Sequence, residues 1–245
     1  MIQRAAVFGD NHIPDHDNPL WYLFLEWLRD NKIHKVYING DFWDIYCLNR
    51  FSRHPSKGKL LKDEMELGIQ MLEDELLPIC NNVEFILGNH EYRVERYLTE
   101  TAPELWGLDG IDFKKFAQLD RLGIKYHDLG TWLGKLYVTH GHLVRPKGGY
   151  SASAHIEHYH HNVLVNHVHR MGSSAKRIHD KTICGWENGC MLDLKADYLK
   201  RKGGFANWQH GWSMVEIDKT DAFAVYPVHV ARDYTFVSFG KLYKG

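Results

Sequence analysis

Five short polar clusters in the 245-residue chain each place an oxygen or imidazole donor just after an apolar run. They are Asp10-x-His12, Asp41-x-x-Asp44, Asn89-His90-Glu91, His140 and His167-x-His169. The donors are carboxylates, a carboxamide and imidazoles, with no thiolate among them. Such a mixed oxygen and nitrogen set suits divalent transition metals such as Mn, Fe, Zn, Co or Ni. The missing thiolate excludes a structural zinc finger. His142, two residues beyond His140, is a competing donor. Gly88 stands between an apolar run and Asn89, where a sharp turn is expected.

The elements that must position these donors can be read from periodicity. Residues 3–8 (QRAAVF), 35–39 (KVYIN) and 83–87 (VEFIL) are short apolar runs that read as strands. Between the first two, Asn18-Pro19 opens WYLFLEWLRDNK, with Asn as the cap and Pro at the first helical position. Trp21, Phe24, Leu25 and Leu28 recur there at helical spacing, so that face is core. Residues 61–78 form an amphipathic helix halted at Pro78. Alternating strands and helices imply a parallel sheet covered on both faces. In such sheets ligands sit beyond the C-terminal strand ends, where the first three clusters fall. Farther along, a helix is expected over 92–100, strands over 124–128 and 135–139, a helix over 150–161 and a strand over 162–166. Short β-rich runs follow from 176. No repeat, low-complexity tract or linker divides the chain, so one domain spanning 1–245 is expected.

Composition narrows the class. Hydrophobic residues make up 44% and the net charge is −1, which excludes a disordered chain and argues against a strongly basic nucleic-acid footprint. No apolar stretch reaches 18 residues, so no membrane span is expected, and the N-terminus does not read as a signal peptide. Cys47, Cys80, Cys184 and Cys190 form no CxxC pair and read as reduced thiols of a cytoplasmic protein.

In order and type, the five clusters resemble the motifs of the calcineurin-like metallophosphoesterases: DxH, GDxxD, GNH followed by Asp or Glu, a lone His, and GHxH. Here they read GDNH (9–12), GDFWD (40–44), GNHE (88–91), THGH (139–142) and NHVH (166–169). Asn166 replaces the usual Gly, a change that removes no ligand. The resemblance implies an α/β/β/α sandwich of two mixed sheets flanked by helices. It also implies two divalent ions, manganese foremost, with Fe, Zn, Ni or Co as alternatives. One ion would be held by Asp10, His12, Asp41 and His169, the other by Asp41, Asn89, His140 and His167, with Asp41 bridging. His140 is preferred to His142 because the family's lone His opens such an HG pair. Two ions ~3.5–4 Å apart would clamp a phosphate and generate a bridging hydroxide nucleophile. Asn89, being neutral, would bind metal without repelling phosphate. The resemblance makes His90 the general acid, a role worth ~10²–10⁴-fold in rate. Asp44 would be the carboxylate that orients it.

The substrate expected is a phosphodiester of nucleotides or nucleic-acid ends, with no membrane partner. Asp44 is followed by Ile45-Tyr46, where the related protein phosphatases carry Arg-Gly, and little chain follows residue 169 to build a nuclease cap. The alternative is a phosphomonoesterase acting on a metabolite or phosphoprotein. A non-catalytic scaffold is disfavoured because no ligand is replaced. Glu91 is expected to cap the helix from 92. Arg93, Arg96 and Arg170 are candidates for phosphate contact, weighed against solvated surface arginines. Arg50, Arg53, Lys57 and Lys59 make the 45–60 loop basic. His155, His158 and His161 are spaced i, i+3, i+6 on the 150–161 helix, as a cleft rim, a solvated face or an extra metal site. Trp208 and Trp212 read as packing aromatics rather than as a base-stacking platform.

Overall fold

The computed structural model describes residues 2–49, 60–195 and 206–245. Arg50, Arg53, Lys57 and Lys59 of the expected basic loop lie outside these residues. Strands and helices alternate in the first half: β1 (Gln3–Phe8), α1 (Asn18–Asp30), β2 (Lys35–Asn39), α2 (Leu61–Gln70), β3 (Asn82–Ile86), α3 (Tyr92–Thr101), α4 (Phe113–Phe116) and β4 (Lys125–His127). A wider helical turn over Met71–Leu76 continues α2. Then come β5 (Thr131–Leu133), β6 (Leu136–Thr139), α5 (Tyr150–Tyr159), β7 (Asn162–Val165), β8 (Gly172–Ile178) and β9 (Lys181–Glu187). The last strands are β10 (His210–Ile217), β11 (Phe223–Val230), β12 (Thr235–Ser238) and β13 (Lys241–Lys244).

Two mixed sheets result. The first has the order β11-β10-β1-β2-β3-β4 and the second β5-β6-β7-β9-β8, while β12 and β13 pair by themselves. In the first sheet β1, β2, β3 and β4 run parallel, and β10 lies antiparallel to β1. In the second, β6, β7 and β9 are parallel and the edge strands antiparallel. Both faces of β1 are buried, as the unbroken apolar run requires. Ala6 and Phe8 face the large aromatic core under α1 to α4, while Ala5 and Val7 meet Leu136, Val138 and Leu164 of the second sheet. The parallel reading therefore holds for the first three strands. Its second face, however, is covered by another sheet and not by helices. On the far side, α5 lays Ile156 against Val163 and Val165.

Local chemistry sets the element ends. α1 is capped by Asp17, whose Oδ1 accepts from Leu20 N at 3.0 Å. Asn18 is thus the first helical residue and not the cap, a one-residue shift between two good capping types. α5 stops at Tyr159 because His160 turns left-handed (φ 56°), so His161 stands outside the helix. Among the described residues, no helix is long and apolar enough to cross a membrane.

Candidate metal centre

The C-terminal ends of β1, β2 and β3 in one sheet and of β6 and β7 in the other open at the same place. Beyond them stand Asp10 and His12, Asp41 and Asp44, Asn89 and His90, His140, and His167 and His169. Three overlapping groups bring ligand atoms within 4.8 Å of one another: Asp10, His12, His169; His12, Asp41, His90; and Asp41, His140, His167. All but Asn89, His90, Asp44 and His167 are buried. Asp10, His12, Asp41, His167 and His169 all adopt positive φ, between 52° and 71°. Non-glycine residues rarely do so, and each costs of order 1–3 kcal/mol.

His140 shows what this arrangement calls for. Its Nδ1 lies 2.8 Å from the Asn39 carbonyl, so that nitrogen carries the proton and donates. In the neutral ring Nε2 is then a lone pair, and in the charged ring it carries the second proton. Facing it are Asp41 Oδ2 at 3.3 Å, Asn89 Oδ1 at 3.1 Å and His167 Nδ1 at 3.2 Å. A few ångströms away, His12 Nε2 and His169 Nε2 stand 3.1 Å apart, and Asp10 Oδ1, 3.3 Å from His169, is buried and accepts no hydrogen bond. Lone pairs aimed at lone pairs fit a cation. A backbone carbonyl fixing the tautomer of a ligating imidazole is the usual outer arrangement of such sites.

The charges agree. Burial alone would push the Asp10 and Asp41 carboxyls up, but the surrounding imidazoles outweigh it and hold both below the usual carboxylate range. Burial would likewise disfavour imidazolium at His140, yet Asp41 lifts it to about 10. His167, desolvated and next to His140, falls to about 4. The centre demands positive charge.

His90 stands at the edge. Its Nδ1 lies 2.7 Å from Asp44 Oδ1, its Nε2 3.8 Å from Asp41 Oδ2, and its backbone N–H donates to Asp41 Oδ1 at 2.9 Å. Burial opposes its charged form, but Asp41 and then Asp44 raise it above the ordinary imidazole value. Asp44 Oδ1 also lies 3.5 Å from His12 Nδ1, so one carboxylate oxygen serves two rings.

The three arginines are all engaged with protein. Arg93 is buried, donating to the Asp44 carbonyl at 2.5 Å and to His90 Nε2 at 2.9 Å. Arg96 donates to the Leu48 carbonyl at 3.0 Å. Arg170 donates to the Arg145 carbonyl, while its buried Nε has no partner. Glu91 is not a helix cap: it makes no capping bond, and its buried carboxylate accepts from the backbone N–H groups of Asp41 (2.9 Å), Trp43 (3.0 Å) and Gly88 (3.1 Å). It thus ties the β2 and β3 loops together, and burial followed by the nearby Asp41 pushes it to about 7. Gly88 is needed for close approach rather than for a turn. A β-carbon there would lie 2.3 Å from Asp41 N and 2.3 Å from its Oδ1.

His142 points away from the centre. It is exposed, and its ring stands 5.4 Å from that of His155 and 5.1 Å from that of His158. His155 is buried with both nitrogens committed: Nδ1 donates to Ser151 O at 2.8 Å, and Nε2 accepts from His142 N at 3.1 Å and Leu143 N at 3.3 Å. His158 and His161 are exposed, and among the described residues no group of potential metal ligands includes a member of this cluster. Trp212 is fully buried in the core, as expected. Trp208 is not core: half-buried, its ring lies 4.3 Å from that of His169. Asn39, Asn166 and Asn188 also lie under the centre, buried and unforeseen apart from Asn166. A lone Asn carries no sequence signal of such a role.

The gene 54 protein of Mycobacterium phage D29 is 26% identical over 236 residues, covering 89% of this chain and 90% of its own length. Among solved structures, Vps29 of Chaetomium thermophilum matches with a TM-score of 0.48 and 12% identity over 99% of this chain and 97% of that one. A dimetal phosphatase from Danio rerio matches with a TM-score of 0.46 and 10% identity over 89% and 93%. The family model described as calcineurin-like phosphoesterase matches residues 3–180, which takes in every donor described above. By that match, the chain belongs to the calcineurin-like phosphoesterase family.

Proposed function

We propose that the chain hydrolyses phosphoesters with two divalent cations, manganese foremost, and that its substrates are phosphodiesters of nucleotides or nucleic-acid ends. The observation that carries this reading is the convergence of Asp41, Asn89 and His167 on the lone pair of His140, whose tautomer Asn39 fixes. Asp10, His12, Asp41 and His169 would hold one ion, and Asp41, Asn89, His140 and His167 the other. When bound, such a pair supplies Lewis acidity toward the phosphoryl group and toward water.

The remaining chemistry belongs to side chains. His90 holds its Nδ1 proton against Asp44 and delivers a second proton from Nε2 to the leaving oxygen. Arg93 donates to Nε2 only while that ring is neutral, so protonation there displaces the guanidinium. Asp44, shared by His90 and His12, keeps both rings in register with the donors.

The test is hydrolysis of bis-(p-nitrophenyl) phosphate with added Mn²⁺, run beside p-nitrophenyl phosphate. Activity should appear with metal, vanish with EDTA and be faster on the diester. Turnover that survives exhaustive chelation would reject the scheme. A faster monoester would transfer the reading to a phosphomonoesterase.

A further inference from the structure

A relay of amides runs beneath the metal centre and joins the two sheets. Asn39 ends β2, Asn166 follows β7, Asn188 follows β9 and Ser213 lies on β10; with Asp10, none is more than 1% exposed. Backbone carbonyls fix which way each amide faces. Asn39 Nδ2 donates to Thr139 O at 2.9 Å, and Asn188 Nδ2 donates to Val7 O at 3.0 Å. Both amides therefore offer N–H to Asn166, whose Oδ1 accepts from Asn39 at 2.9 Å and from Asn188 at 3.2 Å. The Oδ1 of Asn188 is turned to the Ser213 hydroxyl, which donates at 2.6 Å. Asn166 has one orientation left, with Nδ2 toward Asp10 Oδ2 at 3.1 Å and toward Gly189 O at 3.4 Å. The backbone N–H of His167 reaches the same Asp10 oxygen at 3.0 Å.

We propose that Asn166 is a positioning residue that selects which oxygen of Asp10 binds metal. With Oδ2 taken by two donors, Oδ1 alone faces His12 and His169, at 3.9 and 3.3 Å. Glycine, the residue that the resembling motif carries at this position, has no side chain to do this. The inference rests on the proposal that Asp10 holds one of two ions. It assigns Asn166 to that ion and not to the one beyond Asp41.

Calorimetric titration of EDTA-stripped protein with Mn²⁺ tests it without recourse to activity. Wild type should show two binding steps. Asn166→Gly should weaken one of them about 10–100-fold, the usual loss when a group behind a metal ligand is removed, and leave the other unchanged. Asn166→Ser, whose hydroxyl is one bond shorter than the amide, should do the same and serves if the glycine variant does not fold. Two unchanged steps, or equal weakening of both, would overturn the role of Asn166 while leaving the phosphoesterase reading intact. Unfolding of both variants at 25 °C would make the role structural and overturn it too. A wild type that takes up no Mn²⁺ would remove the underlying reading itself.

Discussion

At the scale of single residues, His90 and Gly88 separate chemistry from geometry. His90→Ala should retain both ions and slow aryl phosphodiesters with poor leaving groups most, by ~10²–10⁴-fold, the range for a positioned acid. Equal slowing across a leaving-group series would reject the acid role. Gly88→Ala should lose metal by another route. Its β-carbon would meet Asp41 N and Oδ1 at 2.3 Å, displacing the one carboxylate proposed to touch both ions. Elemental analysis should find well under two ions per chain; full occupancy would show that the loop yields. The acids and imidazoles of the centre were legible because each follows an apolar run closely. Glu91 was not. An acid directly ahead of a helix reads as a cap, and only the folded loops of β2 and β3 show it holding Asp41, Trp43 and Gly88. Asn166 stood out as a departure from the motif, but the amides it engages lie 127 and 22 residues away.

At the scale of elements, α5 carries a pH-dependent fastening. His155 is neutral, with both nitrogens used by backbone groups, and burial lowers it from 6.5 to about 4. Because the folded value is depressed, the unfolded chain takes up a proton between those values that the folded chain refuses. The contribution is complete above pH 6.5 and is lost as the pH falls toward 4, with an upper bound of roughly 3 kcal/mol. Denaturant unfolding of stripped wild type and His155→Gln at pH 7 and pH 4.5 checks this. The stability advantage of wild type should shrink at the lower pH, and a constant difference would refute it. Elements with long periodic runs, such as α1 and α2, were readable in advance. The three-residue β5 was not, since so short a segment between Gly130 and Gly134 carries no period. The strands expected over 135–139 and 162–166 are β6 and β7, but periodicity does not say which sheet a strand joins, and the second sheet entered only through the family resemblance.

At the scale of the whole molecule, the donors divide between the sheets. Asp10, Asp41 and Asn89 come from the first, and His140, His167 and His169 from the second. Ions held by both would clamp the sandwich at one edge. Mn²⁺ at a hundred times its dissociation constant should add about 2.7 kcal/mol per site, or roughly 5–10 °C in unfolding temperature for a chain of this size. Thermal scans with Mn²⁺ and with EDTA measure it; superimposable curves would count against metal shared across the sheets. The left-handed backbone at Asp10, His12, Asp41, His167 and His169 has one more consequence. No motif offers more than a couple of donors, and none would hold that twist unaided. A synthetic peptide copying any of them should chelate little better than free amino acids. During synthesis, if the proposed ligand set holds, the ribosome would have to release the segment through residue 169 before the nascent chain could capture both ions.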